Sequence, residues 1–283
     1  MITASVVVYH TPYKELDELI QCVLGSSIGR FYIVDNSSND ELRTLMDASN
    51  RIVYIKSDNL GFGSGHNIAI RRAIEEQSDY HVVINPDISW EGDIIAQLGN
   101  YMDAHQDCGL VMPKVFYPTG EVQYLCKALP TPFDLLVRRF IPIRKFQLRH
   151  DYDFELRWTG YDQEMEVPSL SGCFMFMRTS VLKKIGAFDE RFFMYAEDLY
   201  LCRRIGEVSS TMYYPAVSIV HRYDKGSYRS PKLLRYHLIS TLKYFTKWGW
   251  IMDKKRSERN KVCLAKMRQQ VRHNSATKKG IKK

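Results

Sequence analysis

The sequence lacks the patterns that mark several large classes of protein. No apolar run approaches the roughly 18 residues that a membrane span needs. The chain does not open on a basic and then apolar segment, so we expect no signal peptide and a cytoplasmic location. Its six cysteines include no close C-x-x-C pair, and several lie within apolar runs. This predicts reduced, mostly buried thiols and argues against a disulfide framework or a zinc site.

Acidic residues are scarce at the C-terminal end of the chain. Residues 225–283 contain 18 Lys and Arg but only two acids, Asp253 and Glu258, which gives a net charge of +16. Since the whole chain carries +8, residues 1–224 carry −8. The asymmetry predicts a basic extension that meets an anionic partner, such as a phospholipid surface, a lipid-linked substrate or nucleic acid. The acidic body and the lack of a known binding module argue against nucleic acid.

The composition, with 45% hydrophobic and 12% aromatic residues, is sufficient for a globular core. Short apolar runs alternate with amphipathic segments along the chain. Strands are predicted at 2–9, 30–35, 51–55, 81–84, 109–117, 171–178 and 212–220. Helices are predicted at 13–24, 41–48, 67–77, 92–104, 180–185 and 199–205. This alternation predicts an α/β fold with a mostly parallel central sheet and helices on both faces.

Polar side chains follow the first four predicted strands. They are Tyr9, His10, Thr11, Asp35, Asp58, Asn59 and Asp87. Right-handed crossovers between parallel strands bring such strand ends to one edge of a sheet, which is where open α/β folds bind ligands. We therefore expect these groups to converge in one crevice.

The clearest of these strand ends is His81-Val82-Val83-Ile84-Asn85-Pro86-Asp87. Pro86 has no N–H for a sheet ladder, so the strand must stop there and leave Asp87 fixed at its carboxyl end. A carboxylate in that position suits a divalent cation, which in turn suits a diphosphate. A plain Asn-Pro-Asp turn is the alternative.

A glycine-rich loop, Gly61-Phe62-Gly63-Ser64-Gly65, precedes a predicted helix. It is similar to a dinucleotide-binding fingerprint, but its third glycine comes one residue early and two strands precede it. A turn without a ligand and a nucleotide contact are equally compatible with the loop taken alone.

Three features of residues 118–221 each allow two interpretations. Residues 118–168 are rich in Arg, Pro and aromatic residues, which fits a lid or an ordinary peripheral subdomain. Glu197 and Asp198 stand at the start of a predicted helix. Either their charges stabilise the helix dipole, or one of the two carboxylates has a pKa raised into the range in which it can accept a proton. His221 ends a strand, where a metal or phosphate role competes with a structural one.

A series of short motifs runs through residues 2–223. They are Val7-Val8-Tyr9, Ile33-Val34-Asp35-Asn36-Ser37-Ser38, Asn59-Leu60-Gly61-Phe62-Gly63 with Asn67, Asn85-Pro86-Asp87, Ser171-Gly172-Cys173-Phe174, and Gly186-x-Phe188-Asp189-Glu190-x-Phe192-Phe193 with Glu197-Asp198. In this order and spacing they resemble family 2 of the glycosyltransferases, inverting enzymes of GT-A fold, and particularly its rhamnosyltransferase-like members. The resemblance implies a GT-A catalytic domain over 1–224, with a nucleotide-sugar half at about 1–117 and an acceptor half at about 118–224.

The resemblance also implies roles for individual residues. Asp198 matches the catalytic base, Asp87 the last acid of an Asp-x-Asp motif that binds Mg²⁺ or Mn²⁺, and His221 a histidine that reaches the metal or the diphosphate. The residues implied to bind the nucleotide sugar are Tyr9, His10, Thr11, Asp35, Asp58, Asn59, Gly61, Phe62, Gly63, Asn67 and Asn85. The chain departs from the family at two positions: Asn85 replaces the first acid of the metal motif, and Tyr200 stands where members often carry another acid.

The implied reaction moves a sugar from a dTDP- or UDP-sugar to a hydroxyl of a glycan or lipid-linked acceptor in surface polysaccharide synthesis. Rhamnose is the sugar that the resemblance favours, while galactose, glucose and N-acetylhexosamines stay open. A nucleotidyltransferase is the alternative, although the basic glycine-rich loop that it would carry near the first strand is missing.

Ser230 and Pro231 predict the start of a helix in the basic extension. Its apolar face would comprise Leu234, Leu238, Thr241, Leu242, Phe245, Trp248 and Met252, and its basic face Lys232, Arg235, Lys243 and Lys247. Either the apolar face of this helix packs on the catalytic domain, or the helix lies on an anionic membrane. The two interpretations are compatible if the apolar face packs on the domain and the basic face contacts lipid. We therefore expect a peripheral protein on the inner face of the cytoplasmic membrane. Residues 254–283 are expected to fray at their end.

Overall fold

The computed structural model describes residues 1–138, 143–222 and 230–280, without the side chains of 46, 47 and 274–280. The strands are β1 Ile2–Val8, β2 Arg30–Asp35, β3 Ile52–Lys56, β4 Tyr80–Ile84, β5 Ile88–Ser89, β6 Cys108–Phe116, β7 Met165–Glu166, β8 Phe174–Arg178 and β9 Ser210–His221. The α-helices are α1 Tyr13–Leu24, α2 Phe62–Glu75, α3 Ile94–Ala104, α4 Arg144–Phe154, α5 Thr179–Ile185, α6 Glu197–Ile205, α7 Pro231–Trp248 and α8 Lys254–Gly280. Residues Glu41–Ala48 form a 3₁₀ helix where the sequence predicts a helix.

The described strands form one mixed sheet in the order β3-β2-β1-β4-β8-β6-β9-β5, with β7 on β9. The first four strands in sequence, β1 to β4, pair in parallel, as their alternation with helices predicts. Strand β8 lies antiparallel between β4 and β6, while β6 and β9 are again parallel. The sheet is therefore parallel in the half formed by β1 to β4 and mixed in the other, a central α/β sheet flanked by helices.

Strand β4 shows how the sheet acquires two apolar faces. Its residues are all buried, and alternate side chains point to opposite sides of the sheet. Val82 packs in a core that contains residues of α1 and α3, while Val83 packs in a second core with residues of α5, α6 and α8. A strand covered on both faces carries a continuous apolar run, which explains the composition of 82–84.

The C-terminal helices pack on the body of the protein. Tyr244 and Phe245 of α7 are fully buried in a cluster with Phe192 and Tyr200, and Cys263 of α8 enters the second core. The buried stripe of α7 is Ser240, Thr241, Tyr244 and Phe245. The predicted apolar face was thus partly wrong, since Leu242 is 48% exposed and Met252 lies beyond the end of α7 and is 90% exposed. Helix α8 runs regularly to Gly280, and the predicted frayed end lies outside the described residues.

Two expectations from composition can be checked against this fold. All six cysteines are free thiols and five of them are buried, as predicted. Within the described ranges, no helix has both the length and the apolar character of a membrane span.

Candidate active site

A cleft of about 1360 Å³ opens beside the carboxyl end of β4. Four of the predicted site residues lie on its walls: Phe62, Asn85, Asp198 and His221. They come from α2, the end of β4, α6 and the end of β9, so distant parts of the sequence contribute to one space. The opposite wall is formed by residues between 117 and 157, together with His237 of α7.

Asp198 is fixed at the start of α6. Its Oδ2 accepts a hydrogen bond from the backbone N–H of Gly172 at 2.8 Å, and Oδ1 accepts one from Leu199 at 2.7 Å. A Cβ added to Gly172 would lie 3.0 Å from the Cβ of Asp198, so a larger residue here would press on Asp198 and shift it by a few tenths of an ångström. The next residue, Cys173, accepts a hydrogen bond from the N–H of Asn85 at 2.9 Å, which links Asp198 to the end of β4.

The turn before α6 is strained. Tyr195 and Ala196 have positive φ angles of 69° and 62°, a conformation that non-glycine residues rarely adopt. Neighbouring elements hold the turn from both sides: Ser240 of α7 donates to the carbonyl of Met194 at 2.8 Å, and the N–H of Phe62 donates to Phe193 at 3.0 Å. The extension and α2 thereby stabilise the backbone that leads to Asp198.

Glu197 lines the same cleft but is only 6% exposed, and its Oε2 has no hydrogen-bond partner among the described residues. Burial, and then the neighbouring charge of Asp198, raise the pKa of Glu197 to about 8. Glu197 therefore keeps its proton to a higher pH than an ordinary glutamate. The sequence predicted a carboxylate with a raised pKa in this segment, and the structure assigns the shift to Glu197.

His221 lines the cleft, and Asp87 lies next to it outside the cleft lining, with Oδ2 and Nε2 separated by 3.4 Å. Buried Gln123, which the sequence did not single out, orients the imidazole. Its amide nitrogen donates to the carbonyls of His221 and Phe116, so its oxygen must accept from His221 Nδ1 at 2.9 Å. Nε2 of the same ring faces the Asp87 carboxylate, so the two side chains are placed to hold a cation together.

Asp87 and His221 therefore fit a divalent cation as two ligands of mixed O and N type. Among the described residues, no group of three or more His, Cys, Asp and Glu side chains forms a metal site. A cation held here would need further oxygen ligands from a diphosphate and water, which is the usual manner of Mg²⁺ binding beside a nucleotide.

Asp35 lies fully buried at the end of β2. Its carboxylate accepts hydrogen bonds from the N–H of Ser37 at 2.8 Å and the hydroxyl of Tyr54 at 2.7 Å. Burial alone would raise the pKa of Asp35, but these hydrogen bonds and the charge of Lys56 hold it below its usual value. The charged form of this carboxylate is therefore stabilised within the sheet edge.

The other predicted groups at this edge lie around Asp35. Parallel pairing sets Val8 beside Asp35 and Asp35 beside Lys56, so the residues after β1 and β3 are at the same edge, as predicted. Tyr9, His10, Asp58 and Asn59 are exposed there, while Thr11 is partly buried. The cleft described above is not lined by these groups, so the expected convergence in one crevice is not seen there. The backbone N–H of His10 donates to Ser37 at 2.7 Å.

The predicted glycine loop forms the first turn of α2, so the helix begins before the predicted Asn67. Gly61 has a φ of 101°, and a Cβ there would lie 2.2 Å from the carbonyl oxygen of Phe193. A Cβ on Gly63 would lie 2.8 Å from the Cβ of Phe188. These glycines therefore allow α2 to pack closely against residues 188–193.

Asn67 is 4% exposed and bonds to the same segment. Its amide nitrogen donates to Phe188 O and Glu190 Oε1, both at 2.9 Å, and its oxygen accepts from Phe188 N. Both ends of the amide are thus engaged within the protein, and Asn67 connects α2 to the segment that leads to Asp198.

The far wall of the cleft comes from the segment that had weak periodicity in the sequence. Its ion pairs include Arg138 with Asp151 and Arg157 with Glu155, and Nε2 of His150 lies 2.7 Å from Oδ1 of Asp134. Arg157 also lies over the ring of Tyr124, 4.7 Å from its centroid. The Arg-rich and aromatic composition of 118–168 was the only sequence signal for this wall.

Tyr200, at the position where a family acid was missing, is 5% exposed and packs beside Phe192 and Trp248. The tyrosine at this position therefore provides an aromatic contact between α6 and α7.

The comparisons with known proteins agree with this architecture. Residues 16–237 match the family model described as glycosyltransferase like family 2. A rhamnosyltransferase, WbbL, of Escherichia coli is 25% identical over 226 residues, which are 77% of this chain and 82% of that protein. An N-acetylglucosaminyl-diphospho-decaprenol L-rhamnosyltransferase of Mycobacterium tuberculosis is 28% identical over 190 residues, 61% of this chain and 59% of that protein.

A solved structure shares the fold. The mannosyltransferase PcManGT from Pyrobaculum calidifontis, in complex with GDP-Man and Mn²⁺, has a TM-score of 0.58 at 15% identity. The match covers 88% of this chain and 64% of the other, so the chain spans less than two thirds of that protein. The comparisons do not favour a nucleotidyltransferase. With the family model matching most of its length, the chain belongs to glycosyltransferase-like family 2 and has a GT-A-type fold.

Proposed function

We propose that this protein is an inverting glycosyltransferase that moves a sugar from a nucleotide-diphosphate donor to a hydroxyl of a glycan or lipid-linked acceptor. The observation that supports it most is the position of Asp198, which is fixed by Gly172 on one wall of a cleft that also contains Asn85 and His221. A carboxylate therefore faces the space beside a strand end suited to a diphosphate.

Asp198 is the proposed base. An acceptor hydroxyl is a weak nucleophile until its proton is removed, and a carboxylate with a fixed orientation can accept that proton as the hydroxyl attacks the anomeric carbon. The nucleoside diphosphate leaves from the opposite face, so the configuration of the anomeric carbon is inverted. Glu197 keeps its proton to a higher pH than an ordinary glutamate because its pKa is raised, so we assign the role of proton acceptor to Asp198.

Asp87 and His221 are the proposed holders of a divalent cation, Mg²⁺ or Mn²⁺. Such a cation, when bound, neutralises the negative charge that develops on the leaving diphosphate. The Mn²⁺ in the complex of the mannosyltransferase of similar fold supports this assignment. The second-sphere hydrogen bond from His221 to Gln123 fixes the tautomer that presents Nε2 to the cation.

The donor nucleotide is proposed to bind along the edge formed by β1, β2 and β3. Asp35 would accept a hydrogen bond from the base, and its hydrogen bonds to Ser37 and Tyr54 fix the carboxylate for that contact. The other proposed contacts are Tyr9, His10, Thr11, Asp58, Asn59, Gly61, Phe62, Gly63, Asn67 and Asn85. For Asn67 the proposed effect is indirect, because its amide is engaged by residues 188–190.

We propose a dTDP- or UDP-sugar as donor, and the rhamnosyltransferases at modest identity favour rhamnose as its sugar. The diphospho-decaprenol named for one of them favours a lipid-linked acceptor in the synthesis of a surface polysaccharide. We further propose that the basic extension attaches the protein to the inner face of an anionic cytoplasmic membrane, where such an acceptor is found.

A nucleotide-release assay across dTDP- and UDP-sugars, with Mg²⁺, Mn²⁺ or EDTA, tests this proposal. We expect slow hydrolysis of one donor, loss of that activity in EDTA and its return with either cation. The anomeric configuration of the transferred sugar, determined by NMR, should be opposite to that of the donor. Retention of configuration would refute the proposed mechanism, and transfer that persists in EDTA would refute the metal assignment.

A further inference from the structure

The loop between α7 and α8 exposes three consecutive apolar side chains. Trp250 is 38% exposed, Ile251 87% and Met252 90%, the last two being the highest values among the large hydrophobic residues of the described chain. Isolated exposed apolar residues are common, but adjacent ones with nearly full exposure require a reason. We define Trp250–Met252 as the apolar tip.

Buried contacts fix both ends of the apolar tip. Before it, Gly249 has a φ of 102° and donates its N–H to the carbonyl of Phe245 at 2.8 Å. After it, Asp253 forms two hydrogen bonds of 2.7 Å with the guanidinium of Arg203 in α6, and both side chains are buried. The exposure of the tip is therefore a feature of an ordered loop between two anchored helices.

Cations without acidic partners flank the apolar tip. Lys247 at the end of α7 and Lys254 at the start of α8 are exposed, and neither has an ion pair within the described ranges. Ile239 and Leu242 lie exposed along the same side of α7, with Lys243 and Lys247 lining the shallow surface between them. The outward side of α7 and the tip thus combine apolar and positively charged groups, the pattern of a helix that lies at a membrane interface.

This surface is close to the active-site cleft along α7. His237, two residues before Ile239, lines the cleft, and Tyr236 stacks on Phe193 with ring centroids 4.6 Å apart. The helix therefore connects the cleft wall to the apolar tip within its 18 residues. A lipid-linked acceptor would enter from the surface that the tip contacts.

We propose that Ile251 and Met252, with Trp250 at their side, insert into an anionic phospholipid bilayer while Lys247 and Lys254 contact its headgroups. The three residues of the apolar tip offer too little surface area for a specific protein–protein interface, which buries about 800 Å² on each partner. They suffice for a bilayer, where apolar burial and attraction of lysines to anionic lipid add together. The inference deepens the membrane attachment proposed above and names the residues that make it.

Vesicle flotation of the full chain tests the inference. The vesicles are phosphatidylcholine, with or without one third phosphatidylglycerol. We expect binding to the anionic vesicles only, and a loss of about tenfold or more in Ile251→Ser/Met252→Ser. Lys247→Glu/Lys254→Glu should lose binding similarly, and Val262→Ser, an apolar change at a 52% exposed site of α8, should stay within about twofold of the unmodified protein.

Flotation does not depend on catalysis, so donor hydrolysis in the same samples separates this inference from the proposed function. Loss of vesicle binding by the tip variant with unchanged donor hydrolysis supports the inference. Equal binding by the tip variant and the unmodified protein would overturn it. The inference would also be overturned if the unmodified protein is a dimer in lipid-free buffer and the tip variant is a monomer. The tip would then contact a second copy of the chain.

Discussion

The buried ion pair between Arg203 and Asp253 predicts that the C-terminal extension unfolds together with the catalytic body. Both side chains are nearly inaccessible, at 3% and 4% exposure, and the pair is bidentate. Arg203 also donates to the Tyr244 hydroxyl at 3.1 Å and lies 4.0 Å from the centroid of the Trp248 ring. One guanidinium in α6 therefore contacts α7 and the start of α8 together.

Asp253→Asn removes one charge and leaves a buried guanidinium without its counterion. The expected loss in the free energy of unfolding is about 3–5 kcal/mol, because the remaining charge stays desolvated. Replacing both partners, as in Arg203→Met/Asp253→Leu, removes the unpaired charge and should recover most of that loss. Urea denaturation of the full chain measures both variants.

The exposed pair between Lys255 and Glu207 supplies the control, since its side chains are 72% and 38% exposed. Lys255→Met should cost no more than about 1 kcal/mol. A loss below 1 kcal/mol for Asp253→Asn, or a separate unfolding transition for the extension, would refute the conclusion that α6, α7 and α8 form one cooperative unit.

Two further predictions concern buried ionisable groups and use urea denaturation at different pH values. Burial and the charge of Asp198 raise the pKa of Glu197 from 4.5 to about 8. Between these two pH values the folded protein keeps a proton that the unfolded chain releases. The free energy of unfolding therefore falls as the pH rises from 4.5 to about 8. Glu197→Gln should therefore stabilise the protein more at pH 8 than at pH 5, and an equal effect at both would contradict the assignment. Burial lowers the pKa of His81 to about 3, so the unfolded chain takes up a proton below about pH 6.5 and stability falls as pH decreases toward 3. His81→Gln should reduce the loss between pH 7 and pH 5 by about 2 kcal/mol, and an unchanged loss would contradict the assignment.

The alternating pattern of residues 1–116 predicted the parallel half of the sheet because each strand there is followed by a helix with clear periodicity. Polar residues such as Asp35 and Asp87 mark strand ends in the sequence, and parallel pairing brings the ends of β1, β2 and β3 to one edge. The antiparallel position of β8 could not be predicted in this way. Its apolar run, Phe174–Arg178, has the same composition in either direction.

The residues that orient the candidate site were harder to predict, because they act through contacts between distant segments. Gln123 fixes the imidazole of His221 from 98 residues away. Ser240 holds the strained turn before Asp198 from α7, within the extension that the sequence assigned to a separate unit. Neither residue type has a sequence pattern that indicates such a role. Leu242 was misassigned because a helical wheel gives the faces of a helix but not which of them meets the body.

Steady-state kinetics of Asp198→Asn test the central claim most directly. The substitution keeps the shape of the side chain and removes its capacity to accept a proton. We predict a fall in turnover of about 10²–10⁴-fold, with little change in donor affinity measured by titration. Asp162→Asn, at a side chain 76% exposed, serves as the control and should retain full activity. Near-normal turnover in Asp198→Asn would contradict the assignment of Asp198 as the base.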